Sequence, residues 1–324
     1  MAGVVAALWL AMHAGLLAGA KREQVIQLQA GWNAVHLEVI PDERRPSLLL
    51  EGTPVDVVAR YYRRISSVEF IEDPADSPWN RESWGVWYAP GREDSFLSNL
   101  HAIDGNQCYL IHATSAFQWS LTGEVRHVRR SWRNESFNLV GFTVDPQAPP
   151  TFARLFEGAG GRIGGKIYRL QNDRWVKVLS PAATAVRPGE AFWTYCEGNT
   201  DFQGPLEVEI AATGALEFGT RSQRLPVKWK AAAGAGVQVS VSVVAAAGAG
   251  PALPLRRVVR DLSTLSDSYP LLAAGLSGEA PSGKMSLLVR REDQGDSSRS
   301  ALLKFSDGAG SLIWVPATAG PLAE

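Results

Sequence analysis

Two segments of this chain repeat one pattern at one spacing, and that repetition limits the fold more than any single residue does. The first reads Gly31-Trp32-Asn33-Ala34-Val35-His36-Leu37-Glu38-Val39-Ile40-Pro41, the second Ser136-Phe137-Asn138-Leu139-Val140-Gly141-Phe142-Thr143-Val144-Asp145-Pro146. Each runs through an aromatic residue, an Asn, alternating apolar residues and a closing Pro. Period-two alternation marks a half-buried strand, and self-similarity marks a repeated structural unit. The expectation is a duplicated β module with Asn33 lying over Asn138. Both Asn side chains should bond backbone rather than a ligand, since Asn readily makes such local bonds.

The comparison extends outward from the motif. In the first segment, residues 55–62, 84–88 and 107–113 read as strands, with a short helix near 47–50, an acidic loop at 72–82 and a turn at Asp104-Gly105-Asn106. In the second, 150–157 reads as a short helix, and 167–170 with 175–179 as a hairpin around Gln171-Asn172-Asp173. Residues 191–196 form the strand that follows the turn Arg187-Pro188-Gly189-Glu190. This alignment sets Trp193 opposite Tyr109. The second copy lacks the acidic, Trp-bearing insertion around residues 73–87, so what is particular to this chain is expected there. Beyond residue 213, short strands near 216–219, 224–230, 237–244, 285–290, 301–305 and 312–315 have sandwich-like spacing. The expected fold class is all-β: two homologous β modules in tandem plus an immunoglobulin-like β-sandwich. The expected boundaries are a signal peptide at 1–20, the first module at 21–128, the second at 129–212 and the sandwich at 213–324.

Several strings carry a wider resemblance: Gln27-Leu28-Gln29-Ala30-Gly31-Trp32-Asn33-Ala34-Val35, Ser136-Phe137-Asn138-Leu139-Val140-Gly141-Phe142, Arg187-Pro188-Gly189-Glu190-Ala191-Phe192-Trp193 and Leu216-Glu217-Phe218-Gly219. Over about residues 25 to 318 the chain resembles large exported modular β proteins of environmental bacteria. In those proteins, aromatic-Asn-apolar repeats precede an immunoglobulin-like module and lectin-like jelly-roll domains often follow. The resemblance implies an extracellular or cell-surface, non-catalytic binding or scaffolding role as part of a larger protein. It carries over no catalytic residue. The alternative is a carbohydrate-binding accessory region of a secreted enzyme, although this chain shows no lectin-like domain.

Composition removes some classes. Hydrophobic residues make up 45% and charged residues 20% of 324, enough for packed cores. A net charge of -1 does not suit a nucleic-acid binder, which must neutralise phosphates. The apolar run 4–17 is too short to span a bilayer. It ends at Ala18-Gly19-Ala20 before Lys21-Arg22 and reads as a secretory signal, with a buried N-terminal helix as the alternative. The partners such a protein would take are an extracellular glycan or another surface protein. The two cysteines, Cys108 and Cys196, could form one long-range disulfide or remain two buried thiols.

Chemistry-bearing patterns are weak. Gly160-Gly161-Arg162-Ile163-Gly164-Gly165-Lys166 matches the start of a phosphate-binding loop, but Ile167 stands where Ser or Thr is needed and a strand rather than a helix is expected next. Glu69, Glu72, Asp73, Asp76, Asn80 and Glu82 form an oxygen-rich loop without a calcium-site spacing. Glu38, Asp42 and Glu43 are carboxylates without a defined partner geometry. His36 and His112 fall in strands, where packing roles are usual, and His101 and His127 fall outside them. No cofactor and no metal site is expected. Trp79, Trp84 and Trp87 are the candidates for a ligand surface. Trp84 and Trp87 have opposite strand parity, so one is exposed unless the sheet is covered on both sides.

Overall fold

The structure is a computed structural model that describes residues 19–62, 83–210, 214–219, 224–232, 237–248, 252–272, 275–293 and 297–321. The acidic loop and Trp79 lie outside the described residues. The fold is all-β, with two short α-helices among the described residues.

Strands β1 (Lys21–Leu28), β3 (Val39–Pro41) and β7 (Phe117–Val125) form an antiparallel sheet in the order β1-β7-β3. β1 and β7 bury every second residue, the signature of one wet face. A four-stranded antiparallel sheet lies against them, built from β2 (Gly31–Leu37), β4 (Val55–Tyr61), β5 (Trp84–Tyr88) and β6 (Gln107–Ala113) in the order β2-β6-β4-β5. Helix α1 (Pro46–Leu49) lies between β3 and β4, with Pro at its first position, where no amide bond is lost. Leu28, Val35, Val58, Trp87, Tyr109, Ile111, Trp119 and Leu121 are among the residues of the core between the two sheets.

A second four-stranded sheet holds β8 (Ser136–Gly141), β9 (Ile163–Gln171), β10 (Arg174–Lys177) and β11 (Ala191–Cys196) in the order β8-β11-β9-β10. Taken in chain order, each four-stranded sheet is arranged first, fourth, second, third, with antiparallel neighbours throughout. Helix α2 (Phe152–Leu155) sits between the first and second strands of its sheet, as α1 does, and the Thr151 side chain caps it. The Asn residues match in detail. Asn33 Oδ1 accepts from Gln29 N at 2.8 Å, and its Nδ2 donates to Gln29 O and Gly31 O. Asn138 Oδ1 accepts from Arg133 N at 2.9 Å, and its Nδ2 donates to Arg133 O and Ser136 O.

Register corrects the sequence alignment by one residue. Asn33 pairs with Ile111 and Asn138 with Thr194, so Tyr109 answers Phe192, not Trp193. A one-residue slip moves a side chain to the other face of the sheet. Tyr109 and Phe192 both point into cores, whereas Trp193 sits on the opposite face of its strand.

That opposite face is where the two four-stranded sheets meet. Val57, Ala59, Trp84, Val86 and Leu110 of the first form a buried cluster against Leu170, Trp175 and Trp193 of the second. Tyr61 bridges them, with its ring centroid 5.3 Å from Trp84 and 5.5 Å from Trp193. Turns of the second sheet clamp β2: Asp173 Oδ1 accepts from Trp32 N at 2.5 Å, and Gly189 O accepts from His36 N at 2.8 Å. Gly31 has φ +92°, and a Cβ there would meet Asp173, so the clamp needs glycine twice over.

The remaining strands form a two-sheet sandwich. One sheet is β12 (Leu206–Glu209), β14 (Arg224–Ala231), β20 (Ser282–Leu288) and β16 (Arg256–Arg257). The other is β13 (Leu216–Glu217), β22 (Leu312–Ala319), β21 (Arg299–Ser306), β15 (Val239–Ala245) and β19 (Leu276–Glu279). Val227, Trp229, Leu287, Val241, Phe305 and Val315 are among the residues of the core they share. A separate hairpin pairs β17 (Val259–Asp261) with β18 (Ser266–Ser268). β12 belongs to the sandwich by hydrogen bonding, because it pairs with β14. The sequence boundary at 212 placed it in the preceding module. No disulfide joins Cys108 and Cys196, which lie in different sheets.

Candidate functional site

The sequence candidates that fall among the described residues do not come together in one site. Trp84 is 9% exposed and Trp87 7%. They face opposite ways, Trp84 into the second sheet and Trp87 into the first core, because both faces of β5 are covered. Neither offers a ring to a ligand in solution, and Trp79 lies outside the described residues. The glycine-rich string runs into β9, so no helix N-terminus stands ready for a phosphate. Asp42 pairs with Lys21 and Glu43 with Arg45. His112 Nδ1 lies 2.5 Å from Asp56 Oδ1, and Asp56 also holds Arg92. Among the described residues, no three His, Cys, Asp or Glu side chains gather where they could hold a metal ion.

A cavity lies elsewhere, where residues of all three sheet systems meet. Its volume is about 430 Å³. β1 contributes Arg22, β2 His36, the end of β4 Arg60, and the loop after β2 Glu38. The connection from β7 to β8 contributes residues 126–131, and the sandwich contributes residues from β12 and 311–314. Five arginines line it (Arg22, Arg60, Arg126, Arg129 and Arg130) against two carboxylates, Glu38 and Glu207.

Hydrogen bonds fix this connection. His127 Nε2 donates to Val208 O at 2.9 Å, since a carbonyl can only accept. Gln203 clamps Arg130 from both sides, with its Oε1 accepting from Arg130 N at 2.6 Å and its Nε2 donating to Arg130 O at 3.0 Å. The Arg130 guanidinium donates to Gly141 O and lies 3.9 Å from the Phe142 ring centroid, a cation–π contact. Trp132 Nε1 donates to Phe202 O at 2.6 Å. Leu312 N donates to Thr143 O, and Val144 bridges Ser311, which ties the second sheet system to the sandwich.

Electrostatics follow from burial. His36 is 6% exposed, and its pKa is lowered to about 3, first by burial and then by the charges of Arg130 and Arg22. Burial pushes the Glu38 carboxyl above its ordinary value, against the pull of its ion partner Arg22. Burial also lowers His127. Both cavity histidines are therefore neutral at pH 7, and the charge in excess on the wall is guanidinium.

Three of the five arginines have a carboxylate beside them: Arg22 with Glu38, Arg60 with Asp104 and Arg129 with Glu207. Two buried side chains on the wall have a polar atom with no hydrogen-bond partner among the described residues, His36 Nδ1 and Ser311 Oγ. Sequence reading missed this site. Its signal was present in Arg126-His127-Val128-Arg129-Arg130-Ser131-Trp132-Arg133, a basic run in a chain of net charge -1.

No protein-family model matches the chain, and no curated protein sequence matches it. Solved structures that are weakly similar include the following three. A Bacteroides ovatus GH5 xyloglucanase in complex with a XXXG heptasaccharide is 14% identical, with TM-score 0.22 over 36% of this chain and 19% of that one. The PapD-like domain 7 of human CEP192 is 9% identical, with TM-score 0.21 over 37% of this chain and 87% of that one. The Vibrio cholerae VesB protease is 9% identical, with TM-score 0.19 over 91% and 98%. Likenesses this distant assign no activity. No helix among the described residues is long and apolar enough to cross a membrane.

Proposed function

We propose that this chain is a non-catalytic, exported binding or scaffolding protein. In this reading two homologous β modules and an immunoglobulin-like sandwich act as one rigid body within a larger extracellular or cell-surface protein. The observation that supports it is the use of the module surfaces. The outer faces of the two four-stranded sheets are spent on each other, and residues of all three sheet systems line one junction. Shared apolar faces couple units that would otherwise move independently.

Small-angle scattering tests the rigidity. A single body of this length has a radius of gyration of about 20 Å, and limited proteolysis should spare residues 126–135 and 197–205. A much larger radius together with early cleavage in those connections would defeat the reading. Export is tested separately, by expressing the chain in a bacterium and sequencing the N-terminus of the secreted product, which should begin at Lys21.

One observation favours the carbohydrate-binding alternative. Phe137, 40% exposed, packs edge-on against Tyr168 and Tyr195 on the part of the second sheet beyond the interface, with Lys166 4.5 Å from the Tyr195 ring. Aromatic rings of this kind stack on sugars. A glycan array in which binding is present and is lost in Tyr195→Ala would favour that alternative; no binding to any glycan removes it.

A further inference from the structure

We propose that the three-way junction cavity is a binding site for a compact oxyanion: a phosphate, sulfate or carboxylate group carried by a small molecule. The inference goes beyond the scaffolding reading and does not depend on it. Four observations carry it. The volume, about 430 Å³, lies in the range of small-ligand pockets and exceeds what a bare anion fills. Guanidinium groups outnumber carboxylates on the wall, so the enclosed field favours negative charge. Two side chains more than nine-tenths buried, His36 and Ser311 (4% exposed), are among its lining residues, and each carries a polar atom that no described residue satisfies. Buried polar atoms are rarely left so, because each has given up its hydrogen bonds to water without a replacement. The Nε groups of Arg22 and Arg60 are buried without a partner as well, and an arginine N–H can only donate.

The donors sit on separate elements: Arg22 on β1, Arg60 at the end of β4, His36 on β2 and Ser311 just before β22. Such a set suits a ligand with several acceptor oxygens rather than a point anion such as chloride. The apolar part of the wall, including Phe142, Ile313 and Trp314, would receive the uncharged body of the ligand. A bound anion would oppose the cationic field that Arg130 and Arg22 place on the His36 ring. No bond to the ligand is made or broken in this proposal.

Calorimetry on the full chain at pH 7 tests it, with sulfate, phosphate and citrate as probes and chloride at matched ionic strength as the reference. One saturable site is expected for at least one oxyanion and none for chloride. Citrate alone binding would assign the site to a carboxylate, and sulfate or phosphate alone to a tetrahedral oxyanion. Arg22→Gln and Ser311→Ala should each weaken binding, the first by at least about tenfold, the value of one charge-assisted hydrogen bond. Arg187→Gln, on an exposed turn, should leave it unchanged. Should Arg22→Gln fail to fold, Ser311→Ala leaves every ion pair in place and carries the test. Nuclear magnetic resonance should show the His36 pKa rising when the anion binds. The proposal falls if no oxyanion binds saturably, or if affinity is the same in Arg22→Gln, Ser311→Ala and the unaltered chain. A compact scattering envelope without anion binding would sink this inference and leave the scaffolding reading standing.

Discussion

The two four-stranded sheets share a strand order, a buried-face Asn and an Arg on the second strand, yet their inner faces are covered by different means. The first is backed by the sheet β1-β7-β3. Among the described residues, no sheet lies behind the second. Helix α2, the loops around Val178 and Val186, and Phe202 close its core instead. Phenylalanine rings do the filling: Phe152 and Phe156 meet Phe192 edge-on at 4.9 and 6.0 Å, and Phe142 stacks on it at 6.3 Å. A large ring buries much apolar area from an irregular backbone, which a short loop otherwise cannot do. Segment 144–146, which answers β3, is thereby released to bridge the sandwich through Val144.

Equivalent positions solve one problem with different chemistry. Arg60 pairs with Tyr109 in the first sheet, as Arg169 pairs with Phe192 in the second. In the first, the Tyr109 hydroxyl ties down the turn through Asp104 N and O. Phe192 has no hydroxyl, and Glu190 does the work instead, accepting from Arg187 N and from Nε and Nη2 of Arg169. Position 36 is His in β2, and its counterpart in β8 is Gly141. His36 packs into the space a Gly141 side chain would fill, so the two sheets touch at corresponding positions.

The comparison can be broken most sharply at Phe192. Phe192→Ala should cost about 3–5 kcal/mol in urea unfolding followed by tryptophan fluorescence. The loss should appear in a single transition for the whole chain, since the sheets bury each other's outer faces. Two separate transitions would mean that the sheets are independent. Next come the ion pairs. Glu190→Ala should cost about 3–5 kcal/mol because it strands a buried Arg169, whereas Asp104→Ala, at a wetter pair, should cost about 1 kcal/mol. Equal losses would remove the distinction.

Acidification probes the contact between the two sheets. Unfolded His36 takes up a proton near pH 6.5, but the folded residue does not until about pH 3. Stability from this residue is therefore complete above 6.5 and falls as pH drops towards 3, by about 1.4 kcal/mol per pH unit. His127 acts with the same sign, and Glu38, raised by burial, acts with the opposite one. The informative quantity is the difference in melting temperature between the unaltered chain and His36→Gln, which should shrink between pH 7 and pH 4. A constant difference would show that His36 titrates normally. At the shared Asn the two sheets should respond unequally. Asn138→Ala should cost about 1–3 kcal/mol, and the more exposed Asn33→Ala about 1 kcal/mol. A larger loss at Asn33 would reverse the ranking.

Legibility in the sequence followed local chemistry. The spans of β5, β6 and β11 read from alternation match the structure, and so does the backbone bonding of Asn33 and Asn138. The pairing of Trp193 with Tyr109 slipped by one, because a turn of uncertain length sets register and sequence does not measure it. Strand β12 falls before the sequence boundary at 212 yet hydrogen-bonds to β14, since Leu206 to Glu209 reads the same whichever sheet pairs with it. Trp84 and Trp87 show the same division. Their opposite parity was plain in the sequence, but whether one face was wet depended on a second sheet arriving from elsewhere in the chain.

By itself the sequence determined the all-β class, the repeated strand pattern and most strand positions, because period-two burial and turn residues act over a few neighbouring positions. Only the tertiary structure decided that the sheets spend their outer faces on each other, and that Arg22, His36, Arg130 and Ser311 surround one cavity. Those residues come from four distant stretches of chain. No local propensity links them, and burial and charge acquire meaning there only after the three sheet systems have packed.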